Sequence, residues 1–203
     1  KKLVFGTDGV RGKVGDEGIT PDFVLRLGAI AGKVFSTLSK KPSVIVGRDT
    51  RVSGQMFESA LQAGFVSAGV DVTLSGCIPT PAVAYLTRSM RLTAGVVISA
   101  SHNAFHDNGI KFFDVNGNKL PDNIENEIEG LFNNSFFSYN SRNLGKVNYL
   151  DDSLGRYIEF CKGTFPGDKS LNGLHIIVDA AHGSSFKAAE SVLIELGAKV
   201  TSI

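Results

Sequence analysis

The chain has 203 residues, 42% of them hydrophobic, and its 21 lysines and arginines nearly balance its 20 aspartates and glutamates. This balance predicts neither a nucleic acid nor an anionic membrane surface as a partner. No apolar run approaches the roughly 18 residues of a membrane-spanning helix, and no signal peptide opens the sequence. Cys77 and Cys161 show no metal-ligand spacing, which favours reduced thiols and a cytoplasmic protein.

Helices and short apolar strands alternate along the chain as far as Phe132. The patterns predict helices at 21–38, 53–68, 81–91 and 123–132, and strands at 43–46, 70–74, 94–98 and 110–115. Such alternation indicates parallel strands joined by right-handed crossovers, with 110–115 as an antiparallel edge strand and Ser53 as a helix N-cap. The predicted fold class is α/β: a three-layer αβα domain with a mixed, mostly parallel sheet.

The pattern changes after Asn133, where 133–145 is rich in Asn and Ser and shows no period, as in a loop or linker. A helix at 152–162, a strand at 173–179, a helix at 185–196 and a strand at 198–203 follow. One βαβ unit cannot cover both faces of its sheet, so we expect the start of a second similar domain whose remainder is missing. The expected boundaries are 1–140 for the first domain, 141–151 for the linker and 152–203 for the incomplete second domain.

The segment 94–113 is the strongest candidate for a site. An apolar strand leads into Ser99-Ala-Ser-His-Asn103, and Asn108-Gly109 predicts a turn into a second apolar run that carries Lys111. A plain polar loop is the alternative, because Ser, His and Asn are common turn residues. The density of groups that donate, accept or carry protons favours a site. These groups belong to Ser99, Ser101, His102, Asn103, His106, Asp107 and Lys111.

Three further motifs accompany this segment: Phe5-Gly-Thr-Asp-Gly-Val-Arg-Gly12, Gly47-Arg-Asp-Thr-Arg-Val-Ser-Gly54 and Ile78-Pro-Thr-Pro-Ala-Val83. In this order, the four motifs resemble those of the α-D-phosphohexomutase family, and the resemblance extends over essentially the whole chain. The match is nearest to the bacterial members that act on glucosamine phosphates. Arg48, Asp49 and Arg51 of the second motif are expected to form a structural charge network.

The resemblance implies a role for four residues. Ser101 would carry a phosphoryl group, lend it to a sugar hydroxyl and take back the other phosphate of a glucosamine-1,6-bisphosphate intermediate. Arg11 would lie near the phosphoserine, where a guanidinium matches phosphate oxygens, and Lys111 would be the general acid/base partner. The alternatives are a structurally paired Arg11 and an outward-facing Lys111 on an alternating strand. His102 would orient the loop or touch phosphate; a Ser101–His102 dyad is not expected, because neighbours in an extended chain point to opposite sides.

The resemblance also implies Mg²⁺, bound through the Ser101 phosphate and three aspartates of an Asp-x-Asp-x-Asp-Arg loop. That loop has no counterpart here, and the sugar-binding residues are also expected beyond residue 203. We therefore expect a fragment, inactive alone, of a four-domain enzyme. Ala104 stands where the family usually has proline, which leaves Asn103 less restricted.

The expected activity of the whole enzyme is interconversion of glucosamine-6-phosphate and glucosamine-1-phosphate, for UDP-N-acetylglucosamine and cell-wall precursor synthesis. Two alternatives stay open. One is a sister enzyme that acts on glucose or mannose phosphates, and the other is a non-catalytic regulatory domain that bears a phosphoserine. A homodimer is left open.

Overall fold

The computed structural model describes residues 2–6, 9–15, 19–134 and 143–203. Thr7 and Asp8 of the first motif, and residues 135–142 of the predicted loop, lie outside the described residues. The strands are β1 (Val10–Lys13), β2 (Ser43–Arg48), β3 (Asp71–Cys77), β4 (Ala94–Ile98), β5 (Asp107–Phe113), β6 (Val147–Tyr149), β7 (His175–Val178) and β8 (Lys199–Ser202). The helices are α1 (Pro21–Leu38), α2 (Ser53–Ser67), α3 (Thr80–Ser89), α4 (Asp122–Asn134), α5 (Ser153–Gly163) and α6 (Phe186–Glu195).

The larger sheet has six strands in the order β1-β5-β4-β2-β3-β6. β2 pairs in parallel with β3 and β4, and β3 pairs in parallel with β6, whereas β5 is antiparallel to both β1 and β4. The predicted mixed, mostly parallel sheet is therefore confirmed. The prediction of β5 as an edge strand is wrong, because β1 pairs along its outer side.

Helices cover both faces of this sheet, as the predicted three-layer architecture requires. α1, α2 and α4 pack on one face with the inward residues of the strands, among them Val46, Val96 and Phe112. α3 and α5 pack on the other face, over Ile45 and Val97. Neighbouring strand residues such as Ile45 and Val46 go to opposite layers because side chains alternate along a strand.

Two glycines let α1 and α2 approach closely. A Cβ on Gly64 would lie 2.2 Å from the carbonyl oxygen of Leu25, and one on Gly28 would lie 2.8 Å from that of Leu61. The two backbones therefore touch where a side chain would hold them apart. α1 begins at Pro21, after Thr20, whose hydroxyl accepts from the N–H of Phe23 at 3.4 Å.

β7 and β8 form a separate parallel pair joined through α6, as the βαβ pattern predicts. α5 contacts both the layer beside the six-stranded sheet and the β7–α6–β8 unit. Its Phe160 stacks on Tyr85 of α3 with ring centroids 4.1 Å apart, and α5 also contacts α6. β6 lies in the stretch expected as a linker and pairs with β3. The proposed domain boundaries stay a prediction. No helix among the described residues combines the length and apolarity that crossing a membrane requires.

Candidate active site

The candidate site lies at the carboxyl edge of the parallel strands. The loops that follow β2, β3 and β4 line a cavity of about 1130 Å³, together with the turn 180–185 after β7. Parallel strands end at the same edge of a sheet, and open α/β sheets bind ligands there. Ser101, His102 and His182 all line this cavity.

Ser101 is exposed and adopts a left-handed backbone conformation, with φ of +57°. This conformation costs about 1–2 kcal/mol for a residue with a side chain. It persists because neighbouring groups hold it: the N–H of Ser101 donates to Oγ of Ser99 at 3.0 Å, and its carbonyl accepts from Arg51 at 3.0 Å. The serine hydroxyl is thus presented at a fixed place in the cleft.

His102 does not point away from Ser101. Its Nδ1 lies 3.4 Å from Oγ of Ser101, a long separation for a hydrogen bond. The expectation that the two side chains diverge assumed an extended chain, and the left-handed Ser101 removes that assumption. The predicted role of His102, to orient the loop or to touch phosphate, stays a prediction.

Arg11 reaches from β1 to the loop between β4 and β5, residues 99–106, which we call the serine loop. It lies opposite Gly109 of β5, and its Nη1 donates to Oδ1 of Asn103 at 3.4 Å. A Cβ on Gly109 would lie 3.1 Å from Cγ of Arg11 and 2.7 Å from the carbonyl oxygen of Ser99. Gly109 therefore leaves the space through which Arg11 passes toward the serine loop.

Lys111 lies on β5, opposite Val97 of β4, and is half-buried. Because side chains alternate along a strand, Lys111 shares a face of the sheet with Arg11, whereas its neighbour Phe112 enters the core. A Cβ on Gly9, whose φ is +82°, would lie 3.1 Å from Cα of Lys111. The glycine of the first motif thus keeps the chain close over Lys111, and the catalytic roles of Arg11 and Lys111 stay predictions.

Arg51 was assigned from the sequence only to a structural charge network, and its contacts with the serine loop were not predicted. One of its terminal nitrogens, Nη2, donates to the carbonyl oxygens of Ser101 at 3.0 Å and Asn103 at 2.8 Å. The other, Nη1, donates to those of Ala104 at 2.6 Å and Asp107 at 3.1 Å. The sequence offered only the position of Arg51 shortly after a predicted strand; the structure adds that this strand, β2, lies beside β4.

The expected charge network around Arg51 consists of two separate pairs. Nε of Arg51 donates to Oδ2 of Asp49 at 3.0 Å, and both side chains are about nine-tenths buried. Arg48 instead pairs with Glu58 of α2 at 3.4 Å. Burial raises the pKa of the Glu58 carboxyl, and the nearby Arg48 guanidinium opposes that shift.

Asn108 and Gly109 lie inside β5, so the predicted turn at this pair is wrong. The fully buried Asn108 donates from Nδ2 to Oγ of Ser53 at 2.8 Å, and its Oδ1 accepts from the N–H of Gly109 at 2.8 Å. The predicted N-cap at Ser53 is wrong: Val52 is the N-cap of α2, and Ser53 is the first residue of the helix, where its hydroxyl accepts from Asn108. This contact joins the start of α2 to the strand that leaves the serine loop.

The described residues do not form a complete magnesium site. Among them, no group of three or more histidine, cysteine, aspartate or glutamate side chains could hold a metal ion. The two aspartates nearest the serine loop have other partners: Asp49 pairs with Arg51, and Asp107 accepts from Nδ2 of Asn103 at 3.1 Å. A phosphate on Ser101 would therefore supply the only oxygen ligand that we assign within this part of the chain.

Comparison with known proteins decides the family. The domain described as phosphoglucomutase/phosphomannomutase, alpha/beta/alpha domain I, matches residues 2–138. The chain belongs to this family. The resemblance inferred from the four motifs is thereby confirmed.

Curated relatives in this family are phosphoglucosamine mutases. Those of Burkholderia mallei (strain SAVP1) and Burkholderia pseudomallei (strain 1106a) are each 59% identical to the chain over 205 residues, which cover 98% of this chain and 45% of each relative. The chain therefore spans less than half the length of these relatives.

Solved structures agree on the fold. A putative phosphomannomutase from Thermus thermophilus matches with a TM-score of 0.86 and 26% identity, over 100% of this chain and 46% of that one. A phosphoglucomutase/phosphomannomutase family protein from Burkholderia thailandensis matches with a TM-score of 0.83 and 25% identity, over 98% and 43% of the two chains.

Proposed function

We propose that the full-length protein is a phosphoglucosamine mutase that interconverts glucosamine-6-phosphate and glucosamine-1-phosphate. The observation that carries this proposal is a serine presented in a fixed conformation at the cleft of a family member. The chain is 59% identical to phosphoglucosamine mutases but only 26% identical to the solved putative phosphomannomutase. This difference supports glucosamine phosphates over glucose or mannose phosphates as substrates. The proposed product serves UDP-N-acetylglucosamine and cell-wall precursor synthesis.

The reaction proceeds through a phosphorylated Ser101. The bond from phosphorus to Oγ of Ser101 breaks while a bond forms to the free hydroxyl of the sugar phosphate, which gives glucosamine-1,6-bisphosphate. The proton of that hydroxyl leaves to a base, for which we assign Lys111, and Oγ of Ser101 takes up a proton as its bond to phosphorus breaks; the second transfer reverses both proton movements. After the sugar reorients, its other phosphoryl group passes to Oγ of Ser101, which restores the phosphoserine and releases the isomer.

The guanidinium of Arg11 and the ring of His102 are assigned to the phosphoryl group. A guanidinium keeps its charge at any working pH and donates along two parallel directions to phosphate oxygens. His102, close to Oγ of Ser101, would contact the same group or orient the loop. Arg11, together with His102 when it contacts the phosphoryl group, would stabilise the negative charge that is spread over its three equatorial oxygens.

Magnesium and the bisphosphate complete the proposal as cofactor and activator. Mg²⁺ would bind an oxygen of the Ser101 phosphate and would supply positive charge to the transferring group. Its remaining protein ligands are expected outside the described residues, which contain no metal-binding cluster of their own. We therefore expect the 203-residue chain alone to show no turnover.

The proposal places the enzyme in the cytoplasm, with a phosphorylated amino sugar as its partner. Cys77 and Cys161 are both free thiols, as a reducing compartment favours. Burial raises the pKa of the Cys77 thiol and so keeps it protonated and unreactive. A homodimer stays a prediction that sedimentation of the full-length protein would decide.

The test is an assay of the full-length protein with Mg²⁺ and catalytic bisphosphate, on the phosphates of glucosamine, glucose and mannose in parallel. We expect turnover of the glucosamine phosphates in the wild type and none in Ser101→Ala. A near-normal rate in Ser101→Ala would refute the role of Ser101. Preference for glucose or mannose phosphate would select the sister activity, and no turnover of any sugar would favour the non-catalytic domain.

A further inference from the structure

We infer that Arg51 is a positioning residue for phosphoryl transfer by Ser101; this inference rests on the proposed function. Its two terminal nitrogens donate to four carbonyl oxygens, three in the loop between β4 and β5 and one at the first residue of β5. Those carbonyls belong to Ser101, Asn103, Ala104 and Asp107, at distances of 2.6 to 3.1 Å. One side chain therefore binds the loop at four points from the nucleophile to the first residue of β5.

This arrangement needs a guanidinium. Its planar fork carries donors on separate nitrogens, whereas a lysine ammonium concentrates three donors on one atom. Asp49 fixes the fork, because Oδ2 accepts from Nε of Arg51 and Oδ1 accepts from the backbone N–H of the same residue, each at 3.0 Å. The Arg51 side chain is only 9% exposed, so its direction is set by the protein.

The contact determines how the nucleophile is held. The carbonyl of Ser101 accepts from Arg51, and its N–H donates to Oγ of Ser99. Both peptide planes that flank Ser101 are therefore fixed, and this maintains its φ at +57°. The following residues add little stiffness of their own, since Ala104 leaves Asn103 unrestricted where a proline would not. Without Arg51, the loop would relax and the hydroxyl would move relative to the phosphate and sugar in the cleft.

Arg48 supplies a matched control. It belongs to the same motif, its guanidinium is also mostly buried, at 18% exposed, and it also pairs with a carboxylate, that of Glu58. Its described pair joins β2 to α2 rather than to the serine loop. Arg48→Ala therefore removes a comparable ion pair without touching the loop that carries Ser101.

The experiment uses the full-length protein and compares Arg51→Ala, Arg51→Lys and Arg48→Ala with wild type. We expect Arg51→Ala to lower kcat by about 100-fold, the loss that follows a misplacement of about 1 Å, with KM little changed. Arg51→Lys should not restore the rate. Free guanidinium at millimolar concentration should restore part of the kcat of Arg51→Ala, and should not do so for Arg48→Ala, whose kcat should stay near that of wild type.

A second readout works without turnover: hydrogen–deuterium exchange of the amides in 99–107, which should accelerate in Arg51→Ala and not in Arg48→Ala. An inactive wild type would reject the proposed function, and the exchange result would still decide whether Arg51 holds the loop. Any of three results would overturn the inference. The first is a kcat of Arg51→Ala equal to that of wild type, and the second is an equal loss of kcat in Arg51→Ala and Arg48→Ala that guanidinium does not rescue. The third is an unchanged exchange rate of the amides in 99–107 in Arg51→Ala.

Discussion

Ser101 combines two properties that a phosphate carrier needs, exposure and a fixed direction. Its left-handed backbone is stabilised by Ser99 on one side and Arg51 on the other. Strain of this kind concentrates at functional sites, where the surrounding structure holds it in place. At the scale of single residues, the site is therefore a polar loop made rigid by hydrogen bonds to its own backbone.

Asn108 offers a stability test of the same loop. Its replacement by alanine would leave the half-buried hydroxyl of Ser53 and the buried N–H of Gly109 without this partner. We expect Asn108→Ala to lower the free energy of unfolding by about 1–3 kcal/mol, as for other buried groups that lose a hydrogen bond. Urea unfolding measures this change.

The control for Asn108 is Asn116→Ala, at an exposed position in the turn after β5. We expect this variant to stay within about 0.5 kcal/mol of wild type. Equal stability of the two variants would mean that the Asn108–Ser53 contact contributes nothing to the fold.

The sequence allowed Ser101, Arg11 and Lys111 to be selected, because each belongs to a motif that can be recognised locally. The role of Arg51 could not be selected in this way. Its contacts depend on β2 and β4 being neighbours in the sheet, which no local pattern specifies. The close approach of His102 to the serine hydroxyl was missed for a related reason, since a left-handed φ at Ser101 is imposed by tertiary contacts.

At the scale of elements, segments with a clear apolar pattern were predictable, and two short strands without such a pattern were not. α1 was predicted with its observed bounds, Pro21–Leu38, because its apolar residues recur at helical spacing after a proline. β1 and β6 were missed. β1 has one buried residue, Val10, and β6 has three residues in all, so pairing with β5 and β3 rather than local pattern defines them.

The contact between α1 and α2 gives a prediction about packing. Gly64→Ala would place a methyl group against the backbone of α1, 2.2 Å from the carbonyl oxygen of Leu25. We expect a loss of about 3 kcal/mol or more in unfolding free energy, because backbone atoms cannot move aside without separating the helices. Thermal and urea unfolding measure it.

Gly130→Ala is the matched control, since nothing lies within 4 Å of a Cβ at this exposed position in α4. There the change should stabilise the protein by about 0.5–1 kcal/mol, because alanine loses less backbone freedom on folding. A tolerated Gly64→Ala would show that α1 and α2 do not approach as described.

Tyr157 of α5 is expected to make the unfolding free energy depend on pH in the alkaline range. Burial, together with a hydrogen bond to Cys161, raises the pKa of Tyr157 from 10.0 to about 12. Between these values the folded chain keeps the phenol proton and the unfolded chain loses it, so this tyrosine lowers the unfolding free energy as pH rises from 10 to about 12. Below pH 10 its contribution is complete.

Ultraviolet titration of tyrosinate should therefore show one late component in the wild type that Tyr157→Phe removes. Tyr149→Phe, at a 72% exposed position, should retain it. The fall in stability above pH 10 should also be shallower in Tyr157→Phe than in wild type. A late component that survives Tyr157→Phe would contradict the assignment.

At the scale of the whole molecule, the cleft joins the two parts of the chain. The loop that holds Arg51 also carries Thr50, whose hydroxyl donates to the carbonyl of His182 at 2.6 Å. His182 and its neighbour Ala181 have left-handed φ values of +56° and +47°, and they line the same cavity as Ser101. The serine loop and the turn after β7 therefore both accept hydrogen bonds from the connection between β2 and α2.

The central claim, that Ser101 carries the phosphoryl group, is tested most directly by labelling. The full-length protein is incubated with glucosamine-1,6-bisphosphate that carries labelled phosphate, then digested, and the labelled peptide is sequenced by mass spectrometry. The account predicts an acid-stable label on Ser101 that is absent from Ser101→Ala and that glucosamine phosphate removes. An acid-labile label on His102 or His182, or mutase turnover with no label on Ser101, would contradict it.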